Sequence, residues 1–319
     1  IDYWLGPSDS SLPITLTIKD GAGKIIRKFS SADKPAEVDP KEINVPMYWV
    51  RPSRVLSAAP GMHRFVWDLT YPVPDLLSRD FPISAIYHDT PLYPQGATVL
   101  PGRYTVELGA NVELATLGSA GGLSQPLEIR LDPRVKTSPE DLRRQFDLDR
   151  KIAEALHRDF EALQQVRSLR AQIKWLQRGK SANSAASSTA LDGAAKIAAD
   201  LEAKAAAIEG TEGGYGSRFM STLEGRSLAR LNGGLGTMLA QLDTADAAPT
   251  TQELEMFSEV EKALNEQLAA WDQLRTKDVP QLNEELKKAG QSPIDLQKLA
   301  AAEAASPQTT TQDKDQDVE

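Results

Sequence analysis

The stretch Gly61-Met-His-Arg-Phe-Val-Trp-Asp-Leu-Thr-Tyr-Pro72 decides how the N-terminal part of this chain folds. Its side chains alternate between two sets, which are Met62, Arg64 and Val66 against His63, Phe65 and Trp67. Alternation with a period of two is typical of a β-strand with one buried face, and a proline ends the run. Because an indole fills a large part of a core, Trp67 is predicted to lie inside a two-layer β core.

The length and composition of the chain limit the classes of protein it can belong to. At 319 residues we expect two domains. A net charge of -9 argues against a nucleic-acid partner, because that affinity comes mostly from clustered Lys and Arg. No apolar run is long enough for a membrane span, and the absence of Cys excludes disulfides and thiolate sites. Since the chain opens on Ile1 in strand-like sequence without a signal peptide, we expect it to be a piece of a longer polypeptide.

Several further short runs resemble strands. Alternation or β-branched composition predicts strands at residues 1–5, 14–18, 25–29, 100–108 and 125–131. Asp20-Gly21 is typical of a tight hairpin turn between the second and third of them. The island Met47–Val50 in a proline-rich region is interpreted as an edge strand or packed loop, with Trp49 covering the sandwich. Residues 1–133 are therefore predicted to form an Ig-like or fibronectin-like β-sandwich.

The remainder of the chain shows helical patterns. Ser138 and Pro139 predict a helix start, after which apolar residues recur about every 3.4 positions from Ile152 to Leu176. Further helices are expected at 190–208, near 227–242 and after Thr250, the last one disturbed by Pro280 and capped by Gly290. Residues 134–298 thus predict a three- or four-helix antiparallel bundle, with flexible linkers at 180–190 and 209–218. The acidic tail 299–319 is expected to be disordered.

Four blocks carry a family resemblance, namely Met47–Pro52, Pro60–Leu69, Ala85–Tyr87 with Thr90-Pro91, and Leu100–Val106. With Asp132-Pro-Arg and Ala245–Thr250 they resemble the C-terminal region of bacterial BNR-repeat, sortilin-like β-propeller proteins, which are often labelled glycosyl hydrolases. The resemblance covers most of residues 1–300. It implies an Ig-like domain, similar to that of flagellar hook-capping proteins, that follows a propeller and precedes a helical bundle. It also implies a periplasmic or secreted location.

The same resemblance supplies no catalytic residue. The Ser-x-Asp-x-Gly-x-x-Trp boxes of propeller blades do not occur in this sequence, so sugar-cleaving residues of such a propeller would lie outside this chain.

The residue patterns themselves predict no catalytic, cofactor or metal site. The histidines His63, His88 and His157 lack ligand spacing, and Gly233–Gly236 lacks the spacing of a dinucleotide loop. Asp68 beside Trp67 is either a glycosidase carboxylate or, as we prefer, a cap of the following turn. The Asp313, Asp315 and Asp317 series imitates a calcium loop, but Val318 replaces its glycine. The glycines inside the 227–242 helix are instead taken as marks of close helix packing.

Four aromatic residues in the proline-rich loops, Tyr48, Trp49, Tyr87 and Tyr93, form the candidate site. Such residues either make a contact surface for protein or carbohydrate, or pack onto the sandwich. The sequence favours a non-catalytic accessory region of an exported β-propeller protein, which supports the propeller or mediates protein or glycan contacts. The alternative is part of a sialidase-like glycoside hydrolase whose catalytic residues lie on the propeller.

Overall fold

The computed structural model describes residues 1–7, 13–34, 38–41, 43–82, 86–110, 123–182, 189–210 and 226–297, and it shows a chain of mixed strands and helices. The chain divides into two compact units. Unit 1 comprises Ile1–Val73, Asp80–Arg150 and Leu242–Pro249. Unit 2 comprises Pro74–Arg79, Lys151–Gln241 and Thr250–Glu319.

Unit 1 contains two antiparallel sheets. The strands β1 (Asp2–Leu5) and β4 (Gly61–Arg64) pair as one sheet. The second sheet has the order β3-β2-β5-β6, with β2 Ile14–Lys19, β3 Ile25–Ser30, β5 Gly102–Ala110 and β6 Leu123–Ile129. The predicted hairpin turn is confirmed, because the Asp20 carboxylate accepts hydrogen bonds from the backbone N–H groups of Ala22 and Lys24, each at 2.9 Å.

The two sheets share one hydrophobic core, and Trp67 lies in it. Its side chain is only 7% exposed, donates from Nε1 to the Thr70 carbonyl at 3.1 Å and meets the Tyr104 ring edge to face at 6.3 Å. The prediction of a single strand over 61–70 is corrected, however. The ladder ends at the Asp2–Arg64 pair. Two further hydrogen bonds join Phe65 and Ile1, because Phe65 N donates to the Ile1 carbonyl at 2.9 Å and Ile1 N donates to the Phe65 carbonyl at 2.8 Å. Phe65 and Trp67 nevertheless keep the predicted alternation and remain buried.

A second, smaller cluster in unit 1 surrounds Val50 and Phe81. Met47–Trp49 forms a single 3-10 turn, and Trp49 packs against this cluster. The expectation that Trp49 covers the sandwich core was therefore wrong. Residues 48–51 instead run beside residues 88–90, and the indole packs with the cluster that contains Phe81.

The helices are α1 (Pro139–Ala182), α2 (Thr189–Glu209), α3 (Leu228–Leu242), α4 (Thr251–Gln273) and α5 (Val279–Lys288). Ser138 caps α1, because its Oγ accepts from Asp141 N at 3.1 Å. Six of the eight predicted apolar positions of α1 are fully buried, with the exposure of Ile152, Leu156, Leu163, Val166, Leu169 and Ile173 at 0%. Phe160 and Leu176 are only half-buried. The helix begins in unit 1 and continues into unit 2.

The ends of α4 and α5 also follow the sequence pattern. Thr250 and Glu253 form the predicted capping box. A π-helical segment, Leu274–Asp278, separates the two helices just before Pro280, because a proline cannot donate to the helical ladder. Gly290 adopts φ +67° behind α5, as expected for a helix cap.

Some of the predicted segments lie wholly or partly outside the described residues. Of the predicted linkers at 180–190 and 209–218, residues 183–188 and 211–218 lie outside the described residues, and so does the tail 299–319. Within the described ranges, no helix combines the length and apolar content that crossing a bilayer requires.

In unit 2, α1 is joined to its neighbours by buried or half-buried polar contacts. Arg167 and Arg170 form ion pairs with Glu209 of α2 at 3.0 and 2.5 Å. Trp271 of α4 donates from Nε1 to the Gln165 side chain at 3.1 Å. These contacts fix α2 and α4 against α1 in addition to the apolar packing.

The short segment Pro74–Arg79 also belongs to unit 2 and packs against α3. The Leu77 N–H donates to Asn232 Oδ1 at 2.9 Å, and a Cβ added at Gly236 would lie 2.9 Å from Leu76 Cδ2. The glycines of α3 were predicted to mark contact between helices. At Gly236 the close neighbour is instead Leu76 of this segment, and a Cβ at Gly233 would meet nothing within 4 Å.

Candidate contact surface

The candidate surface is built where two loops of unit 1 meet. Residues 48–51 run beside residues 88–90, with a parallel bridge between Val50 and Thr90. Three backbone hydrogen bonds join them: His88 N to the Tyr48 carbonyl at 3.1 Å, Thr90 N to Trp49 at 2.9 Å, and Arg51 N to Thr90 at 3.0 Å. The loops are therefore held in a defined register, although each lies outside the two sheets.

Side chains reinforce this junction. The Thr90 hydroxyl, in a residue with 0% exposure, donates to the Ile86 carbonyl and accepts from the Ile86 N–H, each at 3.0 Å. Arg51 Nε donates to Asp89 Oδ1 at 2.6 Å. His88 has φ +54°, a left-handed conformation that a tight turn accommodates. The chain thus turns sharply between Ile86 and Thr90 and presents the residues at the tip of the turn.

Four exposed apolar side chains cover this junction: Met47, Tyr48, Ile86 and Tyr87. We call them the aromatic surface. Tyr87 is 73% exposed and Tyr48 is 55% exposed. Tyrosines with this exposure on a fixed backbone present a rigid apolar ring and a hydroxyl at little entropic cost, which suits stacking on sugars or packing in protein interfaces.

The other two predicted candidates lie differently. Trp49 is half-buried, and its ring meets that of Tyr48 edge to face at 5.9 Å, so it supports the aromatic surface from behind. Tyr93 is partly exposed and exchanges both backbone hydrogen bonds with Asp80, at 2.9 and 3.1 Å. The structure therefore places Tyr48 and Tyr87 on two loops that are hydrogen-bonded to each other, whereas no backbone hydrogen bond among the described residues joins Tyr93 to either of them.

The three histidines do not converge. His63 Nε2 lies 2.6 Å from the Ala59 carbonyl, and the His88 ring meets that of Tyr87 edge to face with centroids 4.1 Å apart. His157 pairs with Asp75 at 2.8 Å in unit 2, and this contact raises its pKa. Among the described residues, no group of three or more His, Asp or Glu side chains is arranged to hold a metal ion.

Asp68 caps a turn. Its Oδ1 accepts from the Thr70 hydroxyl at 2.9 Å and from Thr70 N at 3.4 Å. This confirms the preferred interpretation of Asp68 as a turn cap.

Two buried carboxylates of α1, Asp149 and Asp159, were not predicted from the sequence. Asp149 is 2% exposed, and burial, with a further contribution from Asp243, raises its pKa to about 8. Asp159 is 0% exposed, and burial raises its pKa to about 8. The sequence contains one indication of a buried acid. Asp159 lies between Leu156 and Leu163 in the helical repeat, at a position where an apolar residue would be expected.

Each of these carboxylates lies where a separate piece of chain packs against α1. Near Asp149, the Gln145 amide donates to the carbonyls of Leu242 and Ala245 at 2.7 and 2.8 Å. At Asp159, Oδ2 accepts from Asn232 Nδ2 at 2.8 Å. Both carboxylates are thus shielded from solvent.

Comparisons with known proteins identify no relative. No protein-family model matches the chain, and neither a curated protein nor a solved structure does.

Proposed function

We propose that this chain is a non-catalytic accessory region of an exported β-propeller protein, and that it mediates contacts with protein or glycan through its aromatic surface. The observation that carries the proposal is the pair of exposed tyrosines, Tyr48 and Tyr87, on loops that three backbone hydrogen bonds hold together. Because the backbone of both loops is already ordered, a partner that binds these rings need not pay for ordering the loops.

The fold that goes with this proposal is an Ig-like sandwich in unit 1 and a helical bundle in unit 2. Two antiparallel sheets that share one core support the first part. Helices whose apolar positions are buried support the second. The propeller and the periplasmic or secreted location are supported only by the sequence blocks around Trp49, Trp67, Tyr87 and Tyr104.

The test is a double variant, Tyr48→Ala with Tyr87→Ala, compared with the unchanged chain and with Trp4→Ala. Trp4 is a matched control, because it is also an exposed aromatic residue of unit 1 but lies on β1. Soluble oligosaccharides of several classes are titrated while tryptophan emission is followed, since Trp49 lies against Tyr48. A separately expressed upstream propeller is added in a second arm.

We expect binding in one of the two arms. The double variant should weaken this binding at least about tenfold, and Trp4→Ala should leave it unchanged. No response in either arm, or equal binding by the double variant, would reject the contact surface. Release of product from aryl-glycosides by the 319-residue chain alone would reject the non-catalytic role. Activity that appears only when the upstream chain is present, and that the double variant lowers, would favour the hydrolase alternative.

A further inference from the structure

The C-terminal part of α1 is strongly basic in a protein whose net charge is -9. Residues 167–182 contain five cationic side chains and no acid. Arg167 and Arg170 are neutralised by ion pairs with Glu202 and Glu209 of α2. For Lys174 and Arg178, the described part of the chain provides no ion pair. Two exposed positive charges therefore remain on this turn of the helix.

Trp175 lies on the same part of the helix and is 69% exposed. Lys174 precedes it in the sequence and Arg178 follows one helical turn later, so helical geometry places both cations on one side of the indole. An exposed indole beside two cations is suited to an acidic peptide, since the ring supplies apolar contact while the charges attract carboxylates.

The end of the described chain is fixed beside this surface. The Gln172 side chain of α1 forms hydrogen bonds with both backbone groups of Asp295. Its Nε2 donates to the Asp295 carbonyl at 2.8 Å, and its Oε1 accepts from the Asp295 N–H at 3.0 Å. Asn283 binds both backbone groups of the buried Ile294 in the same way, at 3.1 and 2.7 Å. Gln172 lies one helical turn before Trp175, so Asp295, two residues before the end of the described chain, lies close to the turn that carries Trp175.

That following segment has the complementary charge. Residues 298–319 contain five acids, Glu303, Asp313, Asp315, Asp317 and Glu319, against Lys298 and Lys314. We propose that the acidic C-terminal segment of this chain, residues 298–319, binds in cis to the surface formed by Lys174, Trp175 and Arg178. Four of its acids lie within residues 313–319.

The length of the connection permits this contact. A polypeptide reaches at most about 3.3 to 3.6 Å per residue, so the roughly 16 residues from Lys298 to Asp313 are long enough to return to this part of α1. A tether of that length holds the acids at an effective concentration on the order of millimolar, so weak affinity is sufficient for substantial occupancy. Because the cations are exposed, the contact is expected to weaken as salt rises.

The absence of cysteine from the chain allows a direct test with a single introduced thiol. Ala171→Cys places that thiol four residues before Trp175, on the same side of α1. Ala269→Cys, at an exposed position of α4, is the matched control. The alkylation rate of each thiol is measured in the full chain and in a chain that ends at Gln297.

Removal of residues 298–319 is expected to raise the alkylation rate at position 171 about threefold at low salt and to leave position 269 unchanged. In the full chain, Lys174→Glu with Arg178→Glu should produce the same increase, and 1 M salt should abolish the difference. Circular dichroism melts of every variant show whether the helices remain folded.

Three outcomes would overturn the proposal. The first is equal alkylation at position 171 with and without residues 298–319. The second is an increase after truncation that the charge-reversed variant does not reproduce. The third is protection that rises with protein concentration in the truncated chain, which would assign the surface to a second copy of the chain.

Discussion

Asn232 of α3 donates a hydrogen bond to Asp159 of α1 across 2.8 Å, with both side chains almost completely shielded from solvent. The same amide accepts from the Leu77 N–H at 2.9 Å. One side chain therefore joins two helices of unit 2 to the 74–79 segment.

Replacement of the Asn232 amide should lower the stability of the folded chain. Asn232→Ala removes both hydrogen bonds and leaves a buried carboxyl group and a buried N–H without these partners. We expect the free energy of unfolding to fall by about 2 to 4 kcal/mol. Chemical denaturation measures the loss. Asn265→Ala is the control, because Asn265 bonds Arg158 at 3.0 Å on an exposed part of α4 and should cost less than about 1 kcal/mol. Equal losses would contradict the role of Asn232.

The buried Asp149 should make stability depend on pH. Its pKa is about 8 in the folded chain, against about 3.9 when unfolded, because burial and then Asp243 disfavour ionisation, while Arg150 partly opposes them. Between these values the folded state retains a proton that the unfolded state has lost. The stability contributed by this group is therefore present at low pH and is lost as pH rises from about 4 to about 8.

Asp149→Asn tests this dependence, since an amide resembles the neutral acid but cannot ionise. We expect the variant to gain about 1 to 3 kcal/mol at pH 7 and nothing near pH 4, with a flatter stability profile between them. Thermal melts across this range measure the effect. Asp147→Asn, at an exposed position two residues earlier, should leave the profile unchanged. A variant whose profile keeps its full slope would refute the assignment.

Two glycines of α3 provide a matched pair. Gly233→Ala places a methyl group where nothing lies within 4 Å, so it should stabilise the protein by about 0.5 to 1 kcal/mol through helix propensity. Gly236→Ala gains the same propensity but brings its Cβ to 2.9 Å from Leu76 Cδ2, so that side chain must move.

The gain at Gly236 should therefore be smaller than at Gly233, or absent. Adding Leu76→Ala to both variants removes the obstruction, after which the two glycine replacements should have similar effects. A larger gain for Gly236→Ala in the otherwise unchanged chain would show that the 74–79 segment does not constrain α3.

Trp67 should contribute strongly to the stability of unit 1. Trp67→Phe loses the hydrogen bond to the Thr70 carbonyl and part of the ring volume, and we expect a cost of about 1 to 2 kcal/mol. Trp67→Ala should cost about 3 to 5 kcal/mol because it leaves a large cavity. Trp4→Ala, at a position that is 64% exposed, should cost less than 1 kcal/mol. Urea unfolding followed by far-ultraviolet circular dichroism measures all three.

Patterns that are local in sequence predicted much of the secondary structure. The hairpin at Asp20, the cap at Ser138, the capping box at Thr250 and the apolar repeat of α1 follow from interactions between residues a few positions apart. Such interactions are determined by backbone geometry and side-chain type, so they can be inferred before the rest of the chain is known. The burial of Trp67 followed from alternation for the same reason.

The candidate site was only partly predictable. The sequence indicated four aromatic residues, but their roles depend on the bridge between Val50 and Thr90, which joins segments 40 residues apart. That pairing leaves Tyr48 and Tyr87 exposed on one junction and turns Trp49 toward Phe81.

Local sequence patterns were sufficient to locate most helices and strands and their apolar faces. The partners of individual residues follow only from the folded arrangement: Asn232 for Asp159, Leu76 for Gly236, and the carbonyls of Leu242 and Ala245 for Gln145. These contacts join residues that are distant in the chain, and their free energy comes from burial and from hydrogen bonds that exist only after folding. No periodicity or local propensity encodes them.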